Sequence, residues 1–477
     1  MKFLIALVWT FCYASAVSYG NWENVYFTRT LDLKKGYVKE TDVVQIKNLD
    51  DKPQDTYYFP LSDGIGEITK LSAFIATFLD QVVILGSELV EIEELEGKAL
   101  TYKLTLPAPV APGSTVDIKA RYVYTSGLSP LPAKIEMKDV QHILLTLNKY
   151  AYSPYQTNQY QLVFTGITKG QEMDVIDGSD SEQEPDNLPK DFKPRIEDKS
   201  LVYGPIFESL PPFTVKSMGL LYEHNRPLAK AYNLERSIWI PASNSDKVSI
   251  EEYYELTNAG AELSNGFSRV DWMQGRYEST RNHWALSQLE VKLPDNIESE
   301  GIYYTDKVGQ VDTSKEYQGY LVLQPRYPLF GGWNYNFTIG WYNPLSVYLH
   351  KLTEQEDTYM VKFPVLSTIQ DISYDNVKVN FYLPEDSEFV GVSSAIDYES
   401  IEVGNELSYF DVSGGHVKVT LTFKNLIDDL SKVDLFVQYK YTAASYWLKV
   451  FKISGFVFTG LISYYLLRLI DISIEKK

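Results

Sequence analysis

Short alternations of apolar and polar residues run along most of the chain, which is the period-two pattern of half-buried β-strands. Several of these segments end at Leu-Pro, and proline ends a strand because it cannot donate to the ladder. Helical periodicity is scarce before the C-terminal segment. The pattern therefore predicts a mainly β protein. Representative segments are VYFTRTLDL, DVVQIKN, TVDIKARYVY, VSIEEYYELT, VKVNFYL and HVKVTLTF, with Leu-Pro at Leu106-Pro107, Leu293-Pro294 and Leu383-Pro384.

One predicted strand carries a candidate modification site. It follows the Gly-Gly pair in RYPLFGGWNYNFTIGWYNP, residues 326–344. Asn336-Phe337-Thr338 is an Asn-x-Thr acceptor, and the sequence contains no other Asn-x-Ser/Thr. Alternation turns Asn336 toward solvent, where a secreted chain can carry a glycan. The predicted inner face holds Trp333, Tyr335, Phe337, Ile339 and Trp341, and the outer face holds Asn334, Asn336, Thr338 and Gly340.

Two predicted strands resemble each other. GSTVDIKARY from Gly113 and GWNYNFTIGW from Gly332 both follow a Pro-containing approach and place apolar residues at the same alternate offsets. Two explanations fit: a duplicated domain, or the general likeness of β-sandwich strands. The matched residues are Val116, Ile118, Ala120 and Tyr122 against Tyr335, Phe337, Ile339 and Trp341.

Both ends of the chain indicate a membrane protein of the secretory pathway. Lys2, the apolar run 3–14 and Ala14-Ser15-Ala16 have the three parts of a signal peptide, residues 1–16. Residues 453–470 contain only Arg468 as a charged residue and follow aromatic and lysine residues typical of a membrane interface. A buried core helix is the alternative. We predict a transmembrane helix at 453–470, a lumenal body at 17–446 and a cytosolic tail at 471–477.

The lumenal body is long enough for two domains. An acidic, Pro-containing stretch at about 173–200 is too polar to build a core. We place the first lumenal β domain at 17–215, including this acidic loop, and the second at 216–446. Both are expected to be β-sandwich-like.

Composition excludes several classes of chemistry. The formal charge of −19 argues against a nucleic-acid partner, because phosphate binding needs clustered basic residues. The single cysteine, Cys12, lies in the predicted signal peptide, so the mature chain has neither disulfides nor thiol nucleophiles. The sequence lacks the G-x-S-x-G, P-loop and G-x-G-x-x-G motifs. We therefore predict no cofactor.

Titratable residues give no metal or catalytic motif. The histidines are isolated, and single core or surface roles are expected for His142, His224, His283, His350 and His416. The acidic loop could hold Ca²⁺ only with irregular spacing, so a solvated loop is favoured for Asp177, Asp180, Glu182, Glu184 and Asp186. Glu251, Glu252 and Glu255 could supply a glycosidase carboxylate pair. Three acids on one strand more often form its wet face, although Glu252 has the parity of buried neighbours and would need a partner.

Several longer segments resemble the ribophorin I family, whose members are large single-span subunits of the oligosaccharyltransferase complex. The most specific is PRYPLFGGWNYNFTIGW, residues 325–341. The others are YGPIFESLP, YEHNRPL, VSIEEYYELTNAGAELSNGFSR, LPDNIESEGIYYTDKVGQVDTS, FYLPEDSEFVGV and, more loosely, RTLDLKKGYVKETDVVQIKN. With the signal peptide and the span, the resemblance covers essentially the whole chain.

The resemblance implies a type I single-pass protein of the endoplasmic reticulum membrane with two lumenal β domains. It implies a non-catalytic role beside the subunit that transfers an oligosaccharide from dolichol pyrophosphate to Asn in Asn-x-Ser/Thr. Its partners would be the catalytic and accessory subunits, the protein translocon and nascent polypeptides, and Asn336 would itself be an acceptor. Two other functions stay open: a cell-surface adhesion or receptor ectodomain, and a membrane-anchored glycosidase that uses Glu251, Glu252 or Glu255.

Overall fold

A computed structural model describes residues 19–61, 70–78, 83–92, 95, 99–125, 127–174, 193–242, 246–277, 284–292, 301–317, 319–353, 355–408, 411 and 414–469. The predicted signal peptide, the cytosolic tail, most of the acidic loop and His283 lie outside the described residues. The mainly β prediction is confirmed, and one C-terminal apolar helix follows the β body.

The N-terminal half contains sixteen described strands in three sheets, apart from one short pairing with the C-terminal half. The strands are β1 (Trp22–Asp32), β2 (Val38–Asn48), β3 (Gln54–Leu61), β4 (Leu71–Phe78), β5 (Gly86–Val90), β6 (Leu100–Val110), β7 (Thr115–Tyr124), β8 (Leu128–Pro130), β9 (Lys134–Ile135), β10 (His142–Asn148), β11 (Gln156–Thr157), β12 (Tyr160–Thr165), β13 (Gln171–Met173), β14 (Pro194–Glu197), β15 (Ser200–Ile206) and β16 (Ser217–Glu223). The largest sheet has the order β14-β15-β12-β1-β2-β7-β4, and smaller sheets have the orders β13-β16-β10-β8 and β3-β6-β5.

The C-terminal half is organised in the same way. Its strands are β17 (Ala229–Trp239), β18 (Lys247–Asn258), β19 (Glu262–Leu263), β20 (Leu289–Lys292), β21 (Tyr303–Asp306), β22 (Gly309–Gln310), β23 (Lys315–Tyr317), β24 (Tyr320–Leu323), β25 (Asn334–Pro344), β26 (Leu349–Lys351), β27 (Thr358–Pro364), β28 (Thr368–Ile369), β29 (Ile372–Leu383), β30 (Glu388–Ser394), β31 (Ser400–Glu406), β32 (His416–Ile427) and β33 (Asp434–Lys440). The helices are α1 (Arg269–Tyr277) and α2 (Ala443–Leu469), with 3-10 turns at Leu345–Val347 and Asp428–Lys432. The large sheet runs β22-β21-β25-β18-β17-β29-β32-β31, flanked by β23-β24-β20-β28 and β26-β27-β33-β30, while β19 pairs with β9.

The two large sheets repeat one topology. The order β15-β12-β1-β2-β7-β4 corresponds to β32-β29-β17-β18-β25-β21. Along each of these orders one pair is parallel, β1 with β12 and β17 with β29, and the other pairs are antiparallel. Outside this order, β11 also pairs with β1 in parallel. The matched strands β7 and β25 occupy equivalent places, because Lys47 of β2 is opposite Thr115 and Thr257 of β18 is opposite Asn334. Of the two explanations for their likeness, the structure favours repetition.

A matching corner precedes each of these strands and accounts for the Gly-Gly pair. Gly113 donates its N–H to the Asn48 carbonyl at 2.8 Å, and Gly332 donates to the Asn258 carbonyl at 2.9 Å. Both glycines have positive φ, 75° and 77°, which glycine adopts without strain. At Gly331 a Cβ atom would lie 2.2 Å from the carbonyl oxygen of Gly260. The corner therefore needs one glycine for conformation and one for close backbone approach.

Two large clusters of buried residues form the main cores. One extends from Trp22 to Leu228 and the other from Ala229 to Tyr441. Segment 217–223, β16, pairs with β10 of the N-terminal half. The division into domains at 215 and 216 stays a prediction, and this pairing joins the first residues after 215 to the N-terminal sheets.

Candidate functional site

Asn336 lies on the outer face of β25, as the alternation predicts. Tyr335, Phe337, Ile339 and Trp341 are buried, while the side chains of Asn336 and Thr338 are partly exposed. The inner residues join the C-terminal core, and β18 pairs along the full strand, with Asn336 opposite Glu255. Trp333 precedes the strand and packs against the core. Whether Asn336 carries a glycan stays a prediction.

Two tyrosines flank the Asn336 amide. Its Nδ2 donates to the Tyr253 hydroxyl at 3.1 Å, and its Oδ1 accepts from the Tyr232 hydroxyl at 3.5 Å. Tyr253 in turn donates to Glu255 at 3.1 Å. In the folded sheet the amide is thus held in a paired strand with a hydrogen bond on its nitrogen. An enzyme that must reach this nitrogen has freer access before β18 and β25 pair.

The three candidate carboxylates of β18 do not form a hydrolytic pair. Glu252 is fully buried, 3.0 Å from the Nε of Arg236, and accepts from the Tyr254 hydroxyl at 2.7 Å. Glu251 and Glu255 lie on the opposite face. Four residues of strand separate them by about 13 Å, which exceeds the roughly 6.5–9.5 Å of an inverting pair and the roughly 5–5.5 Å of a retaining pair. Glu251 accepts from Tyr303, and Glu255 accepts from Asn233 and Tyr253.

The described histidines are separate from one another in their contacts. His142 and His416 contact backbone carbonyls, of Val140 and Leu383. Among the described residues, no group of three His, Cys, Asp or Glu could hold a metal ion. The candidate calcium ligands Asp177, Asp180, Glu182, Glu184 and Asp186 lie outside that part of the chain.

A polar cleft of about 670 Å³ lies between the two halves. Its lining includes Lys35, His224, Arg226, Gln288, Tyr327 and Asp371. Burial, together with the nearby Arg226 guanidinium, lowers the pKa of His224 to about 4, so this imidazole is neutral at neutral pH. At the junction Asp428 accepts from Lys35 and from the Tyr37 hydroxyl, each at 2.5 Å. These hydrogen bonds join the two halves beside the cleft.

Each half contains a buried ion pair, and of the acids in these pairs the sequence singled out only Glu252. Arg29 on β1 is 2.6 Å from Glu40 on β2 and also donates to the carbonyls of Asn148 and Tyr150, at 2.7 and 3.0 Å. Burial and the Glu40 charge raise the pKa of Asp42 well above its usual range. Arg29 is opposite Asp42 as Arg236 is opposite Glu252, so the repeated sheets place an arginine opposite an acid at the same position, although Arg29 forms its ion pair with Glu40. Their shared place in the repeat and their burial indicate a structural role.

Helix α2, with 27 residues, is long and apolar enough to cross a membrane. None of its described residues is buried. The fold and these sites define a class of protein: a β body built on a repeated sheet topology, followed by one candidate membrane span.

The chain belongs to the ribophorin I family, whose sequence model matches residues 22–468. Dolichyl-diphosphooligosaccharide–protein glycosyltransferase subunit 1 of Caenorhabditis elegans is 29% identical over 418 residues, 86% of this chain and 66% of that protein. Subunit 1 of Schizosaccharomyces pombe is 24% identical over 461 residues, 94% of this chain and 96% of that protein. Subunit 1B of Arabidopsis thaliana is 29% identical over 67% of this chain and 64% of its own length.

The chain thus spans slightly less than two thirds of the worm and plant relatives and nearly all of the yeast one. Among solved structures, a putative nutrient binding protein of Legionella pneumophila aligns over 43% of this chain and 68% of its own, with 14% identity and a TM-score of 0.25. A similarity this weak carries no argument.

Proposed function

We propose that this protein is a non-catalytic subunit of a dolichyl-diphosphooligosaccharide–protein glycosyltransferase. It supports the transfer of a preassembled oligosaccharide from dolichol pyrophosphate to Asn in Asn-x-Ser/Thr of nascent polypeptides. The observation that carries this proposal is the family match over residues 22–468, with relatives named as subunit 1 of that enzyme. The contribution of this chain is positional: its β body keeps the polypeptide near the catalytic subunit.

The contacts of the candidate acids support a role without its own chemistry. Glu252 is neutralised by Arg236 in the core, and Glu251 and Glu255 are too far apart to act as a pair. A partner subunit then catalyses the transfer of the oligosaccharide.

The proposed place of work is the endoplasmic reticulum membrane, with α2 as a single span. Residues 17–446 lie in the lumen and 471–477 in the cytosol, after removal of residues 1–16. Partners are the catalytic and accessory subunits, the translocon and nascent chains. Asn336 is the proposed glycan acceptor on this chain.

The test is purification of the full-length protein in mild detergent, identification of co-purifying proteins, and a transfer assay. The assay uses lipid-linked oligosaccharide with an Asn-x-Thr peptide, and a Gln-x-Thr peptide as the control. We expect partner subunits and transfer to the Asn peptide only. The double variant E251Q/E255Q should transfer at the wild-type rate. A protein that purifies alone and transfers nothing would contradict the proposal and favour the receptor alternative.

A further inference from the structure

The start of α2 is fastened to the C-terminal half by two lysines. The Lys449 ammonium lies 3.1 Å from Glu385 and 2.8 Å from Asp411, and the Lys452 ammonium lies 3.0 Å from Asp386. The carboxylates of Glu385 and Asp411 are fully buried. Exposed ion pairs contribute little to stability, but separating a lysine from two buried carboxylates destabilises the folded state strongly. The helix therefore meets the β body in a fixed geometry.

The length of α2 indicates how deep in the bilayer the contact between α2 and the β body lies. At about 1.5 Å per residue, its 27 residues cover roughly 40 Å, the thickness of a bilayer with its headgroup layers. Residues 453–469, which follow Lys452, cover about 26 Å, close to the hydrocarbon core. Lys449 and Lys452 then lie in the headgroup layer. Because their ammonium groups touch Glu385, Asp386 and Asp411, the loops that carry these acids lie at the same depth.

An apolar side chain stands in one of these loops. Leu407 is 69% exposed and follows the last residue of β31. The Ser408 N–H donates to the Asp411 carboxylate at 2.8 Å. Asp411 also holds Lys449, so the position of Leu407 is tied to the helix. A single exposed leucine is ordinary on a soluble surface, but this one is held at the depth where lipid begins.

We propose that the C-terminal half of the β body rests directly on the lipid headgroup layer. Leu407 inserts at the boundary, and Lys449 and Lys452 clamp the body to its span. The lipid surface it fits is zwitterionic, because both lysines are already paired and the loop also presents the exposed acids Asp386 and Glu388. The body is then seated on the membrane at a set tilt. This inference rests on α2 spanning the bilayer and does not depend on the proposed function.

The experiment measures depth with a fluorescent label on the full-length chain in phosphatidylcholine nanodiscs. The only native cysteine, Cys12, is replaced by serine, so L407C gives a single labelling site. The matched control is I196C, an equally exposed position on β14 in the other half, 64% exposed. Quenching lipids carry a spin label at the headgroup level. We expect strong quenching and a blue-shifted emission at position 407, and neither at 196.

The clamp is tested by adding K449M to L407C, because Lys449 pairs with two buried carboxylates, whereas the exposed Lys452–Asp386 pair contributes little. Quenching at 407 should fall by at least half in K449M and should be retained in K449R, which keeps the charge; unchanged quenching in K449M would overturn the clamp. K424M, which removes an exposed pair of the same half, with Glu399, should leave the quenching unchanged. Absence of quenching at 407 would overturn the proposal. A blue shift without quenching would also overturn it, because protein and not lipid would then cover Leu407.

Discussion

The buried cluster of Arg29, Glu40 and Asp42 makes a sharp prediction about two neighbouring acids. All three side chains are nearly inaccessible to solvent. The Glu40 carboxylate lies 2.6 Å from the Arg29 guanidinium. Asp42 instead accepts from the Tyr122 hydroxyl at 3.0 Å and has a strongly raised pKa. We therefore expect Asp42 to be protonated in the folded protein. The two amide substitutions E40Q and D42N should then differ greatly in cost.

The magnitude follows from what each change leaves behind. E40Q leaves a buried guanidinium without its counter-ion, a change that typically costs about 3–5 kcal/mol. Arg29 keeps its two carbonyl acceptors, and Asp42 can ionise in response, so we expect the lower end, about 3 kcal/mol. D42N replaces a neutral acid by a neutral amide of similar shape and should change the free energy of unfolding by less than about 1 kcal/mol.

The assay is native-state hydrogen exchange, followed by mass spectrometry, on the full-length protein in detergent micelles. Protection of the amides of β1 and β2 reports the free energy of opening of the N-terminal core. A raised carboxyl pKa means that the folded state holds a proton that the unfolded state releases. Stability is thus lost as pH rises from about 3.8 through the folded pKa, and D42N should remove that dependence. Equal destabilisation by E40Q and D42N at neutral pH would refute the protonation assignment.

Three further predictions concern other parts of the molecule. The pKa of His224 is lowered to about 4, so the free energy of unfolding should fall by up to about 3 kcal/mol as pH drops from about 6.5 to 4. In hydrogen exchange, H224Q should flatten this slope and H350Q, at an exposed site, should not; equal slopes in both would contradict the burial argument. G331A places a Cβ atom against backbone carbonyls and should cost about 3 kcal/mol or more in thermal unfolding, whereas G391A, with open space, should cost under about 1 kcal/mol. In gel mobility, the wild type should shift on endoglycosidase treatment and N336Q should not; a shift in N336Q would remove Asn336 as the acceptor.

Alternation predicted which side of a strand is buried, because burial alone sets that pattern. The inner face of β25 and the partly exposed Asn336 followed from it, as did the need of Glu252 for a buried partner. Alternation does not say which strands pair. The parallel pair of β17 and β29 joins Ala229 to Ile372, and no local signal encodes a contact across such a separation. The sequence likewise could not indicate the partners that reach the β18 acids from other strands, which are Arg236, Asn233 and Tyr303.

The membrane end shows the same limit. The sequence indicated Lys449 as one of the residues that flank a span, which follows from composition near an apolar run. It could not indicate that Lys449 serves two buried carboxylates, because Asp411 lies in a loop 38 residues upstream. A lysine beside a span is expected to snorkel toward water. Here the β body supplies its acceptors.

A comparison of the two repeated sheets shows which features of the Asn336 position the fold requires and which a glycan would add. Asp117 on β7 occupies the place that Asn336 has on β25, because Asp117 follows Val116 as Asn336 follows the matched Tyr335. Gln45 lies opposite Asp117, and Glu255 lies opposite Asn336. Gln45 donates to Asp117 at 2.8 Å, so the N-terminal sheet builds this position with an ordinary side-chain hydrogen bond. The same strand and corner form there around an acid that no glycan can modify. A glycan at Asn336 is therefore not needed to make this sheet, and any effect of the sugar must arise on the outer face, where Tyr232 and Tyr253 flank it.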